Sequence, residues 1–298
     1  MARLLFLGAS VSQLPCIRYA REAGHEVIAC DGDAGAIAFK YCHAWHVVDF
    51  SDSDRVAAVA RAQHVDGILA VCTDRAVIPA AVVAQRLGLP GIGPDVARAM
   101  THKPTMRRTL ADAGVPQPAH AALTEHAGSV EGIPFPAVLK PADSGGQRGL
   151  YLIERDEELA ERLPQTLVFS VGGEAMLEEY VVGTELNALI AVRDGEPTLL
   201  TLSDRLRPAG PGFGVGWIHS FPSSLPGDVL DRVRDVAYDA VRALGLQNGI
   251  AFPQLIATPE GRVVVVEVAA RIAAGQMADL VRHGTGIELY EIAIAQAL

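Results

Sequence analysis

The sequence predicts a protein of class α/β and α+β, in which a Rossmann-like N-terminal domain precedes a small α/β lobe and a larger antiparallel lobe. Three features of the chain predict this class. Short apolar strands alternate with helical stretches up to residue 87, a proline-rich break lies at 114–118, and long strands follow Gly183. Alternating strands and helices indicate a parallel sheet with helices on its faces, whereas successive long strands favour antiparallel pairing.

The first domain is predicted over residues 1–112. Apolar runs and helical periodicity predict strands at 3–7, 25–30, 46–50 and 67–71, helices at 13–23, 53–63 and 76–87, and two short helices between 94 and 113. The first strand runs into the letters GAS, which lack the GxGxxG spacing of a dinucleotide site. We therefore predict a plain strand-to-helix turn at that point.

The rest of the chain is predicted to form two lobes, at 113–181 and 182–298. The small lobe is predicted to contain strands at 135–142, 151–153 and 174–182 and a helix at 155–163. The large lobe is predicted to contain strands at 185–192, 196–204, 215–221, 248–257 and 261–270 and helices at 228–244, 277–282 and 288–297.

Composition restricts the partners and the compartment. The chain has 298 residues, is 50% hydrophobic and carries a formal net charge of −10, which argues against nucleic acid or an anionic membrane as the main partner. No apolar run approaches the ~18 residues of a membrane helix, and the N-terminus lacks the order of a signal peptide. The four cysteines have no CxxC spacing, as expected for reduced thiols. A cytoplasmic protein that acts on small molecules is expected.

The basic residues are unusual because, of 25 lysines and arginines, only Lys40, Lys103 and Lys140 are lysines. A lysine kept in such a chain can mark a site that needs a compact ammonium group. Codon preference explains an excess of arginine equally well. The composition therefore only indicates which lysines to inspect.

A glycine-rich loop follows Lys140, which ends a predicted strand. The loop reads DSGGQRG, and its candidate phosphate-binding residues are Ser144, Gly145, Gly146 and Gln147. Glycines let backbone N–H groups approach a phosphate closely. A hairpin turn with a solvated lysine is the alternative, and the loop alone does not decide between them.

The stretch LEEYVVGTE, at 177–185, lies between the two predicted lobes. Its backbone could bind the edge of a purine, and the carboxylate of Glu185 could bind ribose hydroxyls. Glu178, Glu179, Tyr180 and Val181 complete this candidate site. The alternative is an interlobe turn with three solvated carboxylates.

The stretch VVVVEVAARIAAG places Glu267 within a valine-rich strand and Arg271 just after it. Gln254 lies on the preceding strand, and antiparallel pairing would bring its oxygen towards the Glu267 carboxylate. Mg²⁺ binds such hard oxygens together with the phosphates of a nucleotide. Arg271 could stabilise negative charge that develops during a reaction. A Glu267–Arg271 salt bridge at the end of the strand is the alternative.

These segments occur in the order seen in the ATP-grasp superfamily, which the chain resembles over nearly its whole length. THKPTMRRTLADAGVPQP and FPAVLKPADSGGQRG resemble the two phosphate-lysine segments, LEEYVVGTE resembles the hinge, and GIAFPQLIATPEGRVVVVEVAAR resembles the metal-binding strand pair. The resemblance implies an ATP-grasp fold after the N-terminal domain. It is closest to the carboxylate–amine ligases, among them the L-amino-acid ligases, and extends to carbamoyl phosphate synthetases.

The resemblance implies a role for each nucleotide-site residue. Lys103 and Lys140 would bind phosphates and the glycine-rich loop would cover them. Glu178 would face the adenine amino group, Glu179 and Val181 would bind adenine through their backbone, and Glu185 would bind the ribose.

The resemblance also implies the metal and the reaction. ATP and Mg²⁺, with Mn²⁺ as a substitute, would be the cofactors, and Gln254 and Glu267 the metal ligands. Lys140, Arg271 and His219 would act in catalysis, His219 by matching a substrate-side histidine in WIHSFPSSLP. Arg205 and Arg207, with the loop after them, could contact a substrate carboxylate or cover the site.

The implied activity is ATP-dependent formation of an amide from a carboxylate and an amine through an acylphosphate, with amino-acid-like substrates and a homodimer as a candidate assembly. Three departures from the family pattern are His102, Gln254 and Ala269, where Asp, Glu and Asn are usual. A bicarbonate-using enzyme and a nucleotide-binding subunit without turnover stay open as alternatives.

Overall fold

The computed structural model describes residues 1–126, 128, 130–207 and 218–298. The N-terminal part contains β1 (Arg3–Leu7), α1 (Leu14–Glu22), β2 (Glu26–Asp31), β3 (Ala44–Val47), α2 (Ser53–Ala62), β4 (Gly67–Leu69) and α3 (Val77–Leu87). Its strands are all parallel, in the order β3-β2-β1-β4. This is the order with which doubly wound folds begin.

Local signals explain where these helices start and stop. The carboxylate of Asp52 accepts hydrogen bonds from the backbone N–H groups of Asp54 and Arg55, which caps α2. Helix α3 ends at Gly88, whose left-handed φ of 67° closes the last turn. Two further helices, α4 (Pro94–Ala99) and α5 (Lys103–Asp112), lead out of this part. Each has proline in its first turn, where the missing N–H removes no helical hydrogen bond.

The small lobe is an antiparallel sheet covered by one described helix. It contains β5 (His120–Leu123), β6 (Ala137–Pro141), β7 (Tyr151–Ile153), α6 (Asp156–Leu167) and β8 (Ala175–Glu179). The strand order is β5-β8-β6-β7. Leu139, Ile153 and Leu177 are fully buried in a separate core beneath α6.

The large lobe is built on a second antiparallel sheet. It contains β9 (Thr184–Arg193), β10 (Glu196–Leu206), β11 (Ile218–Ser220), α7 (Gly227–Ala243), β12 (Gly249–Ala257), β13 (Val263–Ala269), α8 (Met277–Thr285) and α9 (Leu289–Gln296). The strand order is β11-β10-β9-β12-β13. Helix α7 packs on one face of this sheet, and the cluster that includes α8 and α9 packs on the other.

One hydrophobic core joins the N-terminal sheet to the large lobe. Phe6 of β1, Leu189 of β9, Phe252 of β12 and Met277 of α8 belong to the same buried cluster. The small lobe contributes none of the residues of that cluster in the described ranges. The small lobe is therefore joined to the rest of the fold without sharing this hydrophobic core.

The predicted mixed class is confirmed, and most predicted elements are present with ends shifted by a few residues. The strand predicted at 46–50 lies at 44–47, and the helix predicted at 155–163 continues to Leu167. Strand β5 was missed, because its letters HAAL carry little strand signal. It pairs with β8 in the small-lobe sheet. The boundaries at 112 and 181 stay predictions.

No helix in the described parts of the chain is both long enough and apolar enough to cross a membrane.

Candidate active site

A cleft of about 530 Å³ lies between the small and large lobes, and Asp74 of the N-terminal part also lines it. Every residue that the sequence predicted for the site lines this cleft. The structure therefore brings together features that are distant in the sequence: the lysines, the glycine-rich loop, the hinge and the metal strands.

Lys103 is the first residue of α5 and is buried. Its backbone N–H donates to the carbonyl of Ala142, 2.9 Å away, which ties the start of α5 to the strand that carries Lys140. Its Nζ donates to the Ser144 carbonyl at 2.9 Å and lies 3.5 Å from Oε1 of Glu267. Lys103 thus joins the glycine-rich loop to the candidate metal strand. His102, just before it, contacts Thr105 Oγ1 and Glu174 Oε2.

Lys140 belongs to a buried group of charges with Glu178 and Arg107. Its Nζ lies 2.7 Å from Glu178 Oε2, and burial lowers the pKa of its ammonium group although Glu178 opposes this. Both oxygens of Glu178 accept hydrogen bonds from Arg107, each at 2.9 Å. Burial raises the pKa of Glu178, but Arg107 and Lys140 outweigh it and set that pKa to about 2. Glu178 is therefore ionised and occupied by two cations.

Arg107 is the residue whose importance the sequence interpretation missed. It is only 2% exposed, and its guanidinium donates to the carbonyls of Val265, at 2.8 Å, and Val266, at 2.6 Å, as well as to Glu178. It therefore connects α5, β8 of the small lobe and β13 of the large lobe. The available signal was its spacing, four residues after Lys103 on one helix face.

The glycine-rich loop lies against the N-terminal part. A Cβ at Gly145 would be 3.0 Å from Oδ2 of Asp74, so the loop passes close to that carboxylate. Gly146 and Gln147 have φ of 72° and 62°, so both lie in the left-handed region. Glycine adopts this conformation without strain. Asp143 anchors the loop by accepting from the N–H groups of Val171 and Gly172.

The hinge side chains are held by arginines. Glu179 accepts from Arg262, at 2.7 and 3.0 Å, and from the N–H of Ala119. Glu185 forms ion pairs with Arg205 and Arg207. The roles of the hinge in binding adenine and ribose stay predictions. The loop that follows Arg207, at 208–217, lies outside the described residues.

Strands β12 and β13 place Gln254 directly opposite Glu267, as the sequence predicted. Burial raises the pKa of Glu267, but Lys103, Lys140 and Arg271 together lower it below its usual value. Arg271 directs its guanidinium to Asp74, with two hydrogen bonds of 2.7 Å. The carboxylate of Glu267 and the amide oxygen of Gln254 in one cleft fit Mg²⁺ chemistry, whereas Ala269 contributes no side-chain oxygen.

His219 lies on β11, and its Nδ1 is 2.9 Å from Nδ2 of Asn187 on β9. Burial, and to a lesser extent the nearby Arg205, lowers the pKa of the imidazole. Asn187 and Asp74 are further cleft residues that sequence reasoning missed. Neither lies in a motif, and only strand pairing and domain packing bring them to the site.

Comparison with known proteins agrees with this architecture. A model described as the ATP-grasp N-terminal domain matches residues 17–91, and one described as the ATP-grasp domain matches residues 133–279. The chain belongs to the ATP-grasp superfamily.

Individual relatives match the chain at modest identity. It is 28% identical over 228 residues to the D-alanine–D-alanine ligase of Desulforudis audaxviator, covering 66% of this chain and 72% of that protein. It is 31% identical over 188 residues to the D-alanine–D-alanine ligase of Oleidesulfovibrio alaskensis, covering 60% and 58%. The crystal structure of an L-amino acid ligase from Bacillus licheniformis has the same fold, with a TM-score of 0.85 and 21% identity, covering 100% of this chain and 74% of that one. The chain thus spans 58% to 74% of the length of these three proteins.

Proposed function

We propose that the chain binds Mg²⁺–ATP in the interlobe cleft and uses it to join a small, amino-acid-like carboxylate to an amine. The observation that carries this proposal is the convergence of two buried lysines, Lys103 and Lys140, with the oxygen pair of Gln254 and Glu267. Buried ammonium groups are costly unless anions face them. Glu178 and Glu267 already face these lysines, and the triphosphate of a nucleotide would supply further anions to the same cleft. Names of relatives such as D-alanine–D-alanine ligase favour an amide-forming reaction.

In the proposed reaction, a carboxylate oxygen of the acid attacks the γ-phosphorus, and the bond from phosphorus to ADP breaks. The amine nitrogen then attacks the acyl carbon of the resulting acylphosphate. A C–N bond forms, phosphate leaves, and the amine loses a proton. Lys103, Lys140 and Arg271 would stabilise the negative charge on the phosphoryl and acyl oxygens.

The remaining residues position the reactants. Gln254 and Glu267 would hold Mg²⁺, which neutralises charge on the phosphate oxygens when bound. The loop at Ser144–Gln147 would exclude water, which otherwise hydrolyses an acylphosphate. Asp74 holds the Arg271 guanidinium by two hydrogen bonds before substrate binds.

Calorimetric titration with ATP and Mg²⁺ tests the nucleotide site. Lys103→Ala and Lys140→Ala should each weaken binding at least about tenfold, since a hydrogen bond to a charged group contributes roughly 1.5–3 kcal/mol. Lys40→Ala is the matched control, because Lys40 is the third lysine and is exposed, away from the cleft. Equal affinity in all three variants would contradict the proposed phosphate roles.

ADP release tests the reaction. Mg²⁺–ATP is supplied with single amino acids, with pairs of amino acids, and with bicarbonate alone. Release that requires two amino acids supports the ligase. Release with bicarbonate alone would replace it with a carboxylating or carbamoyl-forming enzyme. Nucleotide binding without release in any of these mixtures would leave either an acid outside the panel or a subunit without turnover, the alternative that Gln254 and Ala269 favour.

A further inference from the structure

Asn187 and His219 form a side-chain pair at the edge of the cleft. Asn187 is completely buried on β9, and its Nδ2 lies 2.9 Å from His219 Nδ1. An amide nitrogen can only donate a hydrogen bond, so the imidazole nitrogen that faces it must be the acceptor. His219 Nδ1 therefore carries no proton in this arrangement.

The charges around His219 favour its neutral form. Arg205 lies directly opposite His219 in the β10–β11 pairing, and the Arg205 guanidinium, like that of Arg207, is paired with Glu185. A neutral imidazole with a bare Nδ1 has its single proton on Nε2. The ring nitrogen that does not face Asn187 is then a hydrogen-bond donor, on a residue that lines the cleft.

The stability of the sheet does not explain an asparagine at position 187. Its Oδ1 is buried and has no hydrogen-bond partner among the described residues, and the same is true of Ser203 Oγ, directly opposite on β10. A buried acceptor without a partner is unfavourable, because it has lost its hydrogen bonds to water. The amide is thus an unfavourable choice for packing, and the contact that accounts for it is the one to His219.

We propose that Asn187 is a positioning residue that holds His219 as the Nε2–H tautomer, so that His219 donates a hydrogen bond to a reacting oxygen and does not accept the proton of the amine. The proposal rests on the proposed ligase function for the identity of that oxygen. It assigns His219 to the stabilisation of the phosphoryl or acyl oxygen, and it requires a group other than His219 to take the amine proton.

The tautomer can be measured without any substrate. Nitrogen NMR of the full chain, labelled with ¹⁵N-histidine and with the His219 signals assigned by their loss in His219→Gln, reports protonation at each ring nitrogen. We expect a bare Nδ1 and a protonated Nε2 in the wild type. In Asn187→Asp, a carboxylate faces Nδ1, so the Nδ1–H form should appear. Ser203→Ala is the control, because Ser203 is buried opposite Asn187, and it should leave the His219 signals unchanged.

The outcomes separate the inference from the proposed function. A protonated Nδ1 in the wild type overturns the inference, as does an unchanged tautomer in Asn187→Asp. The wild-type spectrum can overturn the inference even if a variant fails to fold. With an acid–amine pair found by ADP release, Asn187→Asp should lower kcat roughly tenfold or more, as expected when a donor to a developing oxyanion is lost, with the KM for ATP little changed. The expected tautomer without any turnover would sink the ligase proposal and leave the Asn187–His219 assignment standing.

Discussion

At the scale of single residues, charge pairing inside the cleft decides which groups stay ionised. Glu178 is only 3% exposed, yet its carboxylate remains charged because Arg107 and Lys140 both contact it. A buried ion pair is weak evidence for stability, but removing one partner leaves an uncompensated charge. The stability of the protein should therefore depend on the ionisation of Glu178 and on the presence of Arg107 and Lys140.

Acid should destabilise the protein through Glu178. Its pKa is about 2 in the folded chain against an ordinary value of 4.5, so its contribution is fully present above pH 4.5 and is lost as the pH falls towards 2. The shift corresponds to on the order of 3 kcal/mol. Glu178→Gln should lower the free energy of unfolding at neutral pH and flatten its fall between pH 4.5 and 2, as measured by urea denaturation.

The neighbouring carboxylate is the control for this prediction. Glu179 is also paired, with Arg262, but the pair is more exposed than that of Glu178, with 20% of the Glu179 side chain and 44% of the Arg262 side chain accessible. Glu179→Gln should change the free energy of unfolding by about 1 kcal/mol or less. An equally steep acid dependence in wild type and Glu178→Gln would contradict the prediction.

At the scale of elements, two features fix how the lobes meet. The Arg107 guanidinium ties α5 to β8 and β13, and the hinge passes very close to β12 at Gly183. A Cβ at Gly183 would lie 2.4 Å from the carbonyl oxygen of Ala257. Both features constrain the lobe interface rather than either core.

Arg107→Lys should destabilise the protein although it keeps the charge. A lysine cannot reproduce the planar fork that contacts Glu178 and two carbonyls at once, and a broken buried pair costs about 3–5 kcal/mol. We expect the free energy of unfolding, measured with denaturant, to fall by about 2–4 kcal/mol, because part of that pair is lost. The affinity for Mg²⁺–ATP should also fall. Arg108→Lys, at the exposed next position, should be close to neutral, and a similar result for both variants would argue against the interlobe role of Arg107.

Gly183→Ala should shift the hinge, because the added methyl group overlaps backbone atoms of β12. Overpacking of this kind typically costs about 1–3 kcal/mol, and nucleotide affinity measured by calorimetry should fall with stability. Gly227→Ala provides the comparison, since its methyl group would meet nothing within 4 Å. Wild-type affinity and stability in Gly183→Ala would show that the hinge tolerates the displacement.

At the scale of the whole molecule, the N-terminal sheet and the large lobe share one core, whereas the small lobe has its own. Regions with fewer shared contacts open more easily, and ligands stabilise the regions that they bridge. The small lobe is therefore the part whose motion nucleotide binding should restrict.

Hydrogen exchange should show this pattern. With Mg²⁺ and a non-hydrolysable ATP analogue, exchange should slow at the glycine-rich loop, 143–149, and the hinge, 178–183, and change little in β1 and β2. The Lys103→Ala protein under the same conditions should lose most of that protection. Slowing confined to the N-terminal sheet would place the nucleotide elsewhere.

The order of the elements and the short-range motifs could be predicted from the sequence alone. Glycine-rich loop, hinge and metal strands were readable because their residues are close in the chain and their chemistry requires particular side chains. The opposition of Gln254 and Glu267 was predictable because neighbouring antiparallel strands allow few registers.

The distant side chains that complete the site could not be predicted in this way, because they meet only in the folded protein. Arg107 contacts Glu178, 71 residues away, and Asp74 contacts Arg271, 197 residues away. Asn187 on β9 meets His219 on β11 across the intervening strand β10. Such pairs depend on helix orientation, sheet register and domain packing at once, and local propensity contains none of that information. The sequence therefore specified the chemistry of the cleft, whereas the packing of three separate parts of the chain specified the partners that hold it in place.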